Sequence, residues 1–61
     1  MEFNDAEIYY KFRDIFYKQK KNWYLFIKEL DIGIISLNYH HNLYKIIDEK
    51  KWLLTKIKYG L

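Results

Sequence analysis

The stretch Lys51-Trp52-Leu53-Leu54-Thr55-Lys56-Ile57-Lys58-Tyr59-Gly60 decides the fold. In it Leu53, Thr55, Ile57 and Tyr59 alternate with Leu54, Lys56 and Lys58, a period of two that sets lysines along one side of a strand. The same residues also fit a helix, because Leu53, Leu54 and Ile57 fall at i, i+1 and i+4. The first reading gives a strand at 52–59 closed by Gly60 as a turn residue. The second makes Lys50 to Lys58 a cationic helix of the kind that seeks surfaces.

Upstream of it, Leu43, Tyr44, Ile46, Ile47 and Lys50 keep helical spacing, and Ser36 and Asn38 are capping residues, so a helix is expected over 38–50. Asp31-Ile32-Gly33 ends an earlier helix, since aspartate tolerates and glycine favours the left-handed region. That earlier helix takes in Phe26, Ile27 and Leu30 over 24–30. It either follows a turn at Lys20-Lys21-Asn22 and a short extended piece at Trp23-Tyr24, or continues one long helix from residue 5. At the N-terminus, Ile8, Phe12, Ile15, Phe16 and Gln19 line one face of a helix at 5–19. Asn4 and Glu7 have the spacing of a capping box, and Phe3 and Ile8 that of a hydrophobic staple.

With 61 residues the chain makes one domain, 1–61, and its burial is limited by size. It has no cysteine, which excludes disulfides and thiolate metal sites and suits a reducing, cytoplasmic setting. The longest uncharged run, Ile32 to Tyr44, is thirteen residues with several polar members, too short and polar to span a bilayer. The net charge of +3 lies entirely in the second half: residues 1–31 carry six cations and six anions, residues 32–61 five cations and two anions. A basic bias confined to one region points to an anionic partner.

Two segments resemble winged helix-turn-helix transcriptional regulators. Phe26-Ile27-Lys28-Glu29-Leu30-Asp31-Ile32 is similar to the second helix and turn of that family, with Ile27 and Asp31 standing where a small residue and a glycine are usual. Ile47 through Gly60 resembles the end of a recognition helix running into a wing strand. The resemblance implies a mainly α fold with a short β element, a recognition helix at 38–50, a wing strand at 52–59, and double-stranded DNA as partner. On that basis Ser36, Asn38, Tyr39, His40 and Asn42 face bases or phosphates, while Lys45, Lys56 and Lys58 hold the backbone. Phosphate contacts of this kind weaken steeply with salt. With a single arginine, Arg13, on the first helix, tight binding requires a homodimer. A compact chain of this bias would suit a virus or a plasmid.

Phe3, Tyr10, Tyr17 and Tyr24 recur every seven residues opposite Ile8 and Phe12, an aromatic stripe expected to contact a partner. The alternative architecture is an all-α helical hairpin, 5–31 against 36–59, dimerising into a four-helix bundle. Such a protein would be an inhibitor or adaptor that binds an acidic protein surface. Catalysis is poorly served: Ser36 and Thr55 are the only serine and threonine, neither in a glycine-bounded elbow, and no phosphate-cradling glycine loop exists. His40-His41 lacks partners for a metal site. No enzyme activity and no cofactor are expected, and membrane association is disfavoured by the six acids of the first half.

Overall fold

The run Ile34-Ile35-Ser36-Leu37-Asn38, apolar and β-branched at its start, forms a strand rather than the lead-in to a helix. A computed structural model describes residues 1–61. In chain order its elements are β1 (Glu2–Asn4), α1 (Glu7–Tyr17), α2 (Trp23–Leu30), β2 (Ile34–Asn38), a 3-10 turn (Tyr39–His41), β3 (Leu43–Ile46) and α3 (Glu49–Tyr59). The fold is mixed α/β, with three helices and one three-stranded antiparallel sheet of order β1-β3-β2.

The sheet replaces the helix expected at 38–50. Asn42 sits in the left-handed region at φ 52°, and Asp48 is extended at φ −148°, so no helix can pass through either. Tyr44 and Ile46 satisfy alternation as well as they satisfy helical spacing. Pairing with two neighbours settles the ambiguity, because Tyr44 lies between Phe3 of β1 and Ser36 of β2 in register. Asn38 does cap, but it caps the 3-10 turn: its Oδ1 accepts from His40 N at 3.1 Å and His41 N at 3.3 Å. A bulge between Ser36 and Asn38 accommodates the extra residue Leu37.

The tail is helix, not the wing strand expected at 52–59. Asp48 Oδ1 caps it by accepting from Lys51 N at 3.1 Å, and Gly60, left-handed at φ 69°, ends it. Trp52, Thr55 and Tyr59 are the residues α3 turns inward, a spacing of three and four rather than two. The Thr55 hydroxyl donates to Lys51 O at 2.8 Å and lies 3.3 Å from Ile32 O, tying α3 to the segment before β2. Neither the recognition helix nor the wing forms, and the sheet excludes the all-α hairpin.

The first half departs less from expectation. Asn22 Oδ1 accepts from Leu25 N at 2.8 Å and starts α2 at Trp23, so α1 and α2 are separate helices and Trp23-Tyr24 is not extended. Asn4 belongs to β1 and not to a capping box; its Nδ2 donates to His41 O at 2.8 Å. Asp5 takes the capping part, accepting from Glu7 N at 2.9 Å.

Ile8, Phe12, Trp23, Phe26, Ile27, Ile32, Ile34, Tyr44 and Trp52 form the core, contributed by all three helices and the sheet. Phe3, Tyr44, Ser36 and Ile34 lie on the sheet face that meets the helices, whereas Glu2, Lys45 and Ile35 share the other face. Gly33, at φ 91°, joins α3 to the sheet: its carbonyl accepts from Ile47 N at 2.9 Å and Asp48 N at 3.1 Å. Trp23 Nε1 donates to the Tyr44 hydroxyl at 3.2 Å inside the core. Burial pushes the Tyr44 pKa up to about 12, with the Trp23 hydrogen bond acting the other way. No helix is long and apolar enough to cross a membrane.

Candidate interaction surface

Tyr9 is the hub of an aromatic array that begins in the core and ends in solvent. Its ring centroid lies 5.4 Å from Trp23, 5.8 Å from Tyr39, 5.8 Å from Tyr10 and 6.5 Å from Tyr17. Three of these contacts, those to Tyr39, Tyr10 and Tyr17, are edge-on, the arrangement the ring quadrupole favours. Tyr39 extends the array to His40 at 5.5 Å, and its backbone N–H donates to the Tyr24 hydroxyl at 3.0 Å. α1, α2 and the 3-10 turn thus each supply part of one aromatic surface.

Local sequence explains the placement. On α1, Ile8, Phe12 and Phe16 turn inward, so Tyr10, Arg13 and Tyr17, at i, i+3 and i+7, share the outward side. Tyr10 is 64% exposed and Tyr17 65%. Arg13 places its guanidinium carbon 5.4 Å from the Tyr10 ring centroid, which steadies both side chains. The Tyr17 hydroxyl hydrogen-bonds that of Tyr9, and this bond is the main cause holding the Tyr17 pKa above its ordinary value.

The residues expected to bind DNA are not brought together. Ser36 is buried on the inner sheet face, and its Oγ has no hydrogen-bond partner. Asn38 is engaged in its cap, Tyr39 is half-buried among aromatic rings, and Asn42 forms the left-handed corner before β3. His40 is exposed beside Tyr39. Lys45 is exposed on the outer sheet face opposite Glu2, while Lys56 and Lys58 belong to α3. Of the expected partner stripe, Tyr10, Tyr17 and Tyr24 do lie in one surface region, but Phe3 does not. It packs inward, 5.9 Å from Tyr44 and 5.7 Å from Trp52 by ring centroids. The seven-residue recurrence fails there because the α1 helix begins at Glu7 and breaks after Tyr17. Tyr9 and Arg13 join the surface without belonging to the seven-residue stripe. Tyr9 flanks the buried face of α1 in the sequence, and that position lets it bridge core and surface.

The one depression, about 230 Å³, is lined by Gln19, Lys21, Phe26, Glu29 and Leu30, with Lys21 and Glu29 paired across it. No group of three or more histidine, aspartate or glutamate side chains is placed to hold a metal. Compared with protein-family models, curated proteins and solved structures, the chain matches none of them.

Proposed function

We propose that the protein is a non-catalytic binding module, an adaptor or inhibitor, that engages a protein partner through Tyr10, Arg13, Tyr17, Tyr24 and His40. The observation that carries this reading is the continuous ring contact from Trp23 through Tyr9 to the exposed Tyr10 and Tyr17. Aromatic rings anchored from behind lose little freedom on association, so more of their contact energy is realised as affinity. Tyrosine and arginine are the side chains that most often dominate interface energetics, and a stacked arginine supplies a donor fork for a partner carboxylate.

A duplex-binding regulator, the reading that came with the winged-helix resemblance, lacks support from a helix at 38–50. Its cationic residues are spread over the outer sheet face and α3. A gel shift at low and moderate salt on mixed-sequence DNA separates the two readings.

Photo-crosslinking tests the proposal directly. A benzophenone amino acid replacing Tyr10 should give discrete adducts with another protein, and those adducts should disappear when Arg13→Ala or Tyr17→Ala is added. A Lys45→Ala control on the outer sheet face should leave them intact. Adducts between two copies of the chain alone, or adducts indifferent to Arg13 and Tyr17, overturn the adaptor reading.

A further inference from the structure

α3 is apolar on both sides. Trp52, Thr55 and Tyr59 turn toward the core, while Leu53, Leu54 and Ile57 project from the opposite side with exposures of 58%, 58% and 72%. At 100° per residue, Leu53, Ile57, Lys50 and Leu54 fall within one outward sector, and Lys56 and Lys58 flank it on either hand. Lys50, Lys56 and Lys58 have no acidic partner. Lys51 is the exception, donating to both carboxylate oxygens of Asp31 at 2.9 and 2.8 Å. Glu49, the only acid within the helix, falls on the same flank as Lys56, one turn before Leu53. Three large aliphatic side chains therefore stand in water inside a frame of three unpaired lysines and one glutamate.

We propose that α3 is an interfacial helix that docks this protein on an anionic membrane surface, Leu53, Leu54 and Ile57 entering the acyl boundary while Lys50, Lys56 and Lys58 meet the headgroups. This inference uses a different face from the aromatic surface and does not depend on it. The chemistry of the sector selects the occupant. Nucleic acid would meet aliphatic side chains at the centre of the face, where phosphates need cations. A second copy of α3 would bring Lys50, Lys56 and Lys58 against their own counterparts, a like-charge arrangement that opposes pairing. A folded protein partner needs roughly 800 Å² from each side for a stable interface, and an eleven-residue helix only about 16 Å long cannot supply that from one outward sector. A lipid surface has no such requirement. It takes up isolated aliphatic side chains, its negative potential attracts lysines, and lysine stems can lie along the apolar strip while the ammonium groups reach up to the headgroups.

The acids of the first half do not oppose this arrangement. Asp31 is neutralised by Lys51 and Glu29 by Lys21, and Glu2, Asp5, Glu7 and Asp14 belong to other segments than α3. Membrane contact, disfavoured in the sequence by the six acids of the first half, follows once residues 52–59 are a helix whose aliphatic side chains are left outside.

Cosedimentation of the full chain with vesicles tests the proposal. Vesicles of phosphatidylcholine with phosphatidylserine should carry the protein down, phosphatidylcholine alone should carry far less, and salt should release it. Replacing Lys50, Lys56 or Lys58 singly by glutamine should lower partitioning about fivefold each. Leu54→Gln with Ile57→Gln should lower it by about a hundredfold if each side chain contributes a tenfold factor on entering the acyl boundary. Both positions are exposed and glutamine is a good helix former, so circular dichroism should be unchanged and a folding defect can be told apart from a docking defect. Three results would overturn the proposal: no binding to the anionic vesicles at low salt; binding that the Leu54/Ile57 pair leaves untouched, which reduces it to charge alone; or a dimer of the free chain that the same pair abolishes.

Discussion

Adding one methyl group at Gly33 should nearly unfold this protein, whereas the same methyl at Gly60 should be tolerated. Both residues have positive φ, 91° and 69°, so alanine at either carries the left-handed penalty of about 1–2 kcal/mol, offset by a few tenths to about 1 kcal/mol from the stiffer unfolded chain. The surroundings differ. A Cβ on Gly33 would stand 2.5 Å from Asp48 O and 2.6 Å from Trp52 N, both main-chain atoms of the α3 entry, whereas a Cβ on Gly60 meets nothing nearer than Lys11 Nζ at 4.0 Å. Backbone cannot rotate aside as a side chain can, so relief at Gly33 requires moving α3. That movement stretches the bonds from Ile47 and Asp48 to the Gly33 carbonyl and loosens Trp52. Overpacking of this kind costs about 1–3 kcal/mol, which places Gly33→Ala about 3 kcal/mol down and Gly60→Ala about 1 kcal/mol down. A core of this size supplies only about 3–5 kcal/mol in all. Urea titration followed by tryptophan fluorescence gives both values, since Trp23 and Trp52 are buried. Equal losses for the two variants would refute the packing of α3 against Gly33.

Other consequences are as direct. Tyr44→Phe leaves the buried Trp23 N–H without its acceptor and should lower stability at neutral pH by about 1–3 kcal/mol. In the wild type, a Tyr44 pKa raised from 10.0 to about 12 means that the unfolded chain loses its proton first. Its contribution is therefore intact below pH 10 and lost as pH climbs toward 12, about 2–3 kcal/mol in total; the phenylalanine variant should lack that part of the alkaline decline in urea midpoints. Ser36→Ala removes a buried hydroxyl that bonds to nothing and should be neutral or stabilising by up to about 1 kcal/mol; a clear loss in thermal melts would show that Ser36 has a partner. Asn22→Ala and Asp48→Ala each delete a helix cap and should cost about 1 kcal/mol by the same melts, with α3 helicity falling only in the second.

The helices before Asp31 were legible because their signals are local. Ile8 and Phe12 recur at helical spacing, and both are buried on α1. Asn22 stands at the polar interruption that separates α1 from α2. The second half was misread at two places where one set of side chains satisfies two periods. Tyr44 and Ile46 fit a helix with Leu43 and Ile47, and fit a strand by themselves; long-range pairing with Phe3 and Ile34 decides, and no local signal records it. In the tail, Leu53 and Ile57 appear alternately spaced with Thr55 and Tyr59, but their side chains are not buried together. Thr55 and Tyr59 join Trp52 inside, and Leu53 and Ile57 stay out. The expectation that apolar residues mark a buried face failed there. Tyr10, Tyr17 and Tyr24 of the expected stripe are exposed, and Tyr9 joins the first two within α1, whereas adding Tyr39 to the array required the hairpin turn that brings it against Tyr9.

Exposed apolar residues in so small a chain need not signify anything, since no domain of this size can bury them all. Eleven large hydrophobic residues are exposed here against nine in the core, so number alone is uninformative. Distribution carries the information. Leu25 stands on α2, Leu37 on β2 and Ile47 in the link between β3 and α3, with no shared charge pattern. Tyr10 and Tyr17 stand two turns apart on one helix and connect to the core through a shared ring contact, which costs a surface nothing to leave out unless something binds there. Leu53, Leu54 and Ile57 could each be polar without loss to the core, because α3 is seated by Trp52, Thr55 and Tyr59, by its entry against Gly33 and by the Lys51–Asp31 pair. A helix seated through one side and apolar at three positions facing away has more apolar surface than folding requires. That surplus lies among lysines, where an anionic, apolar surface would accept both.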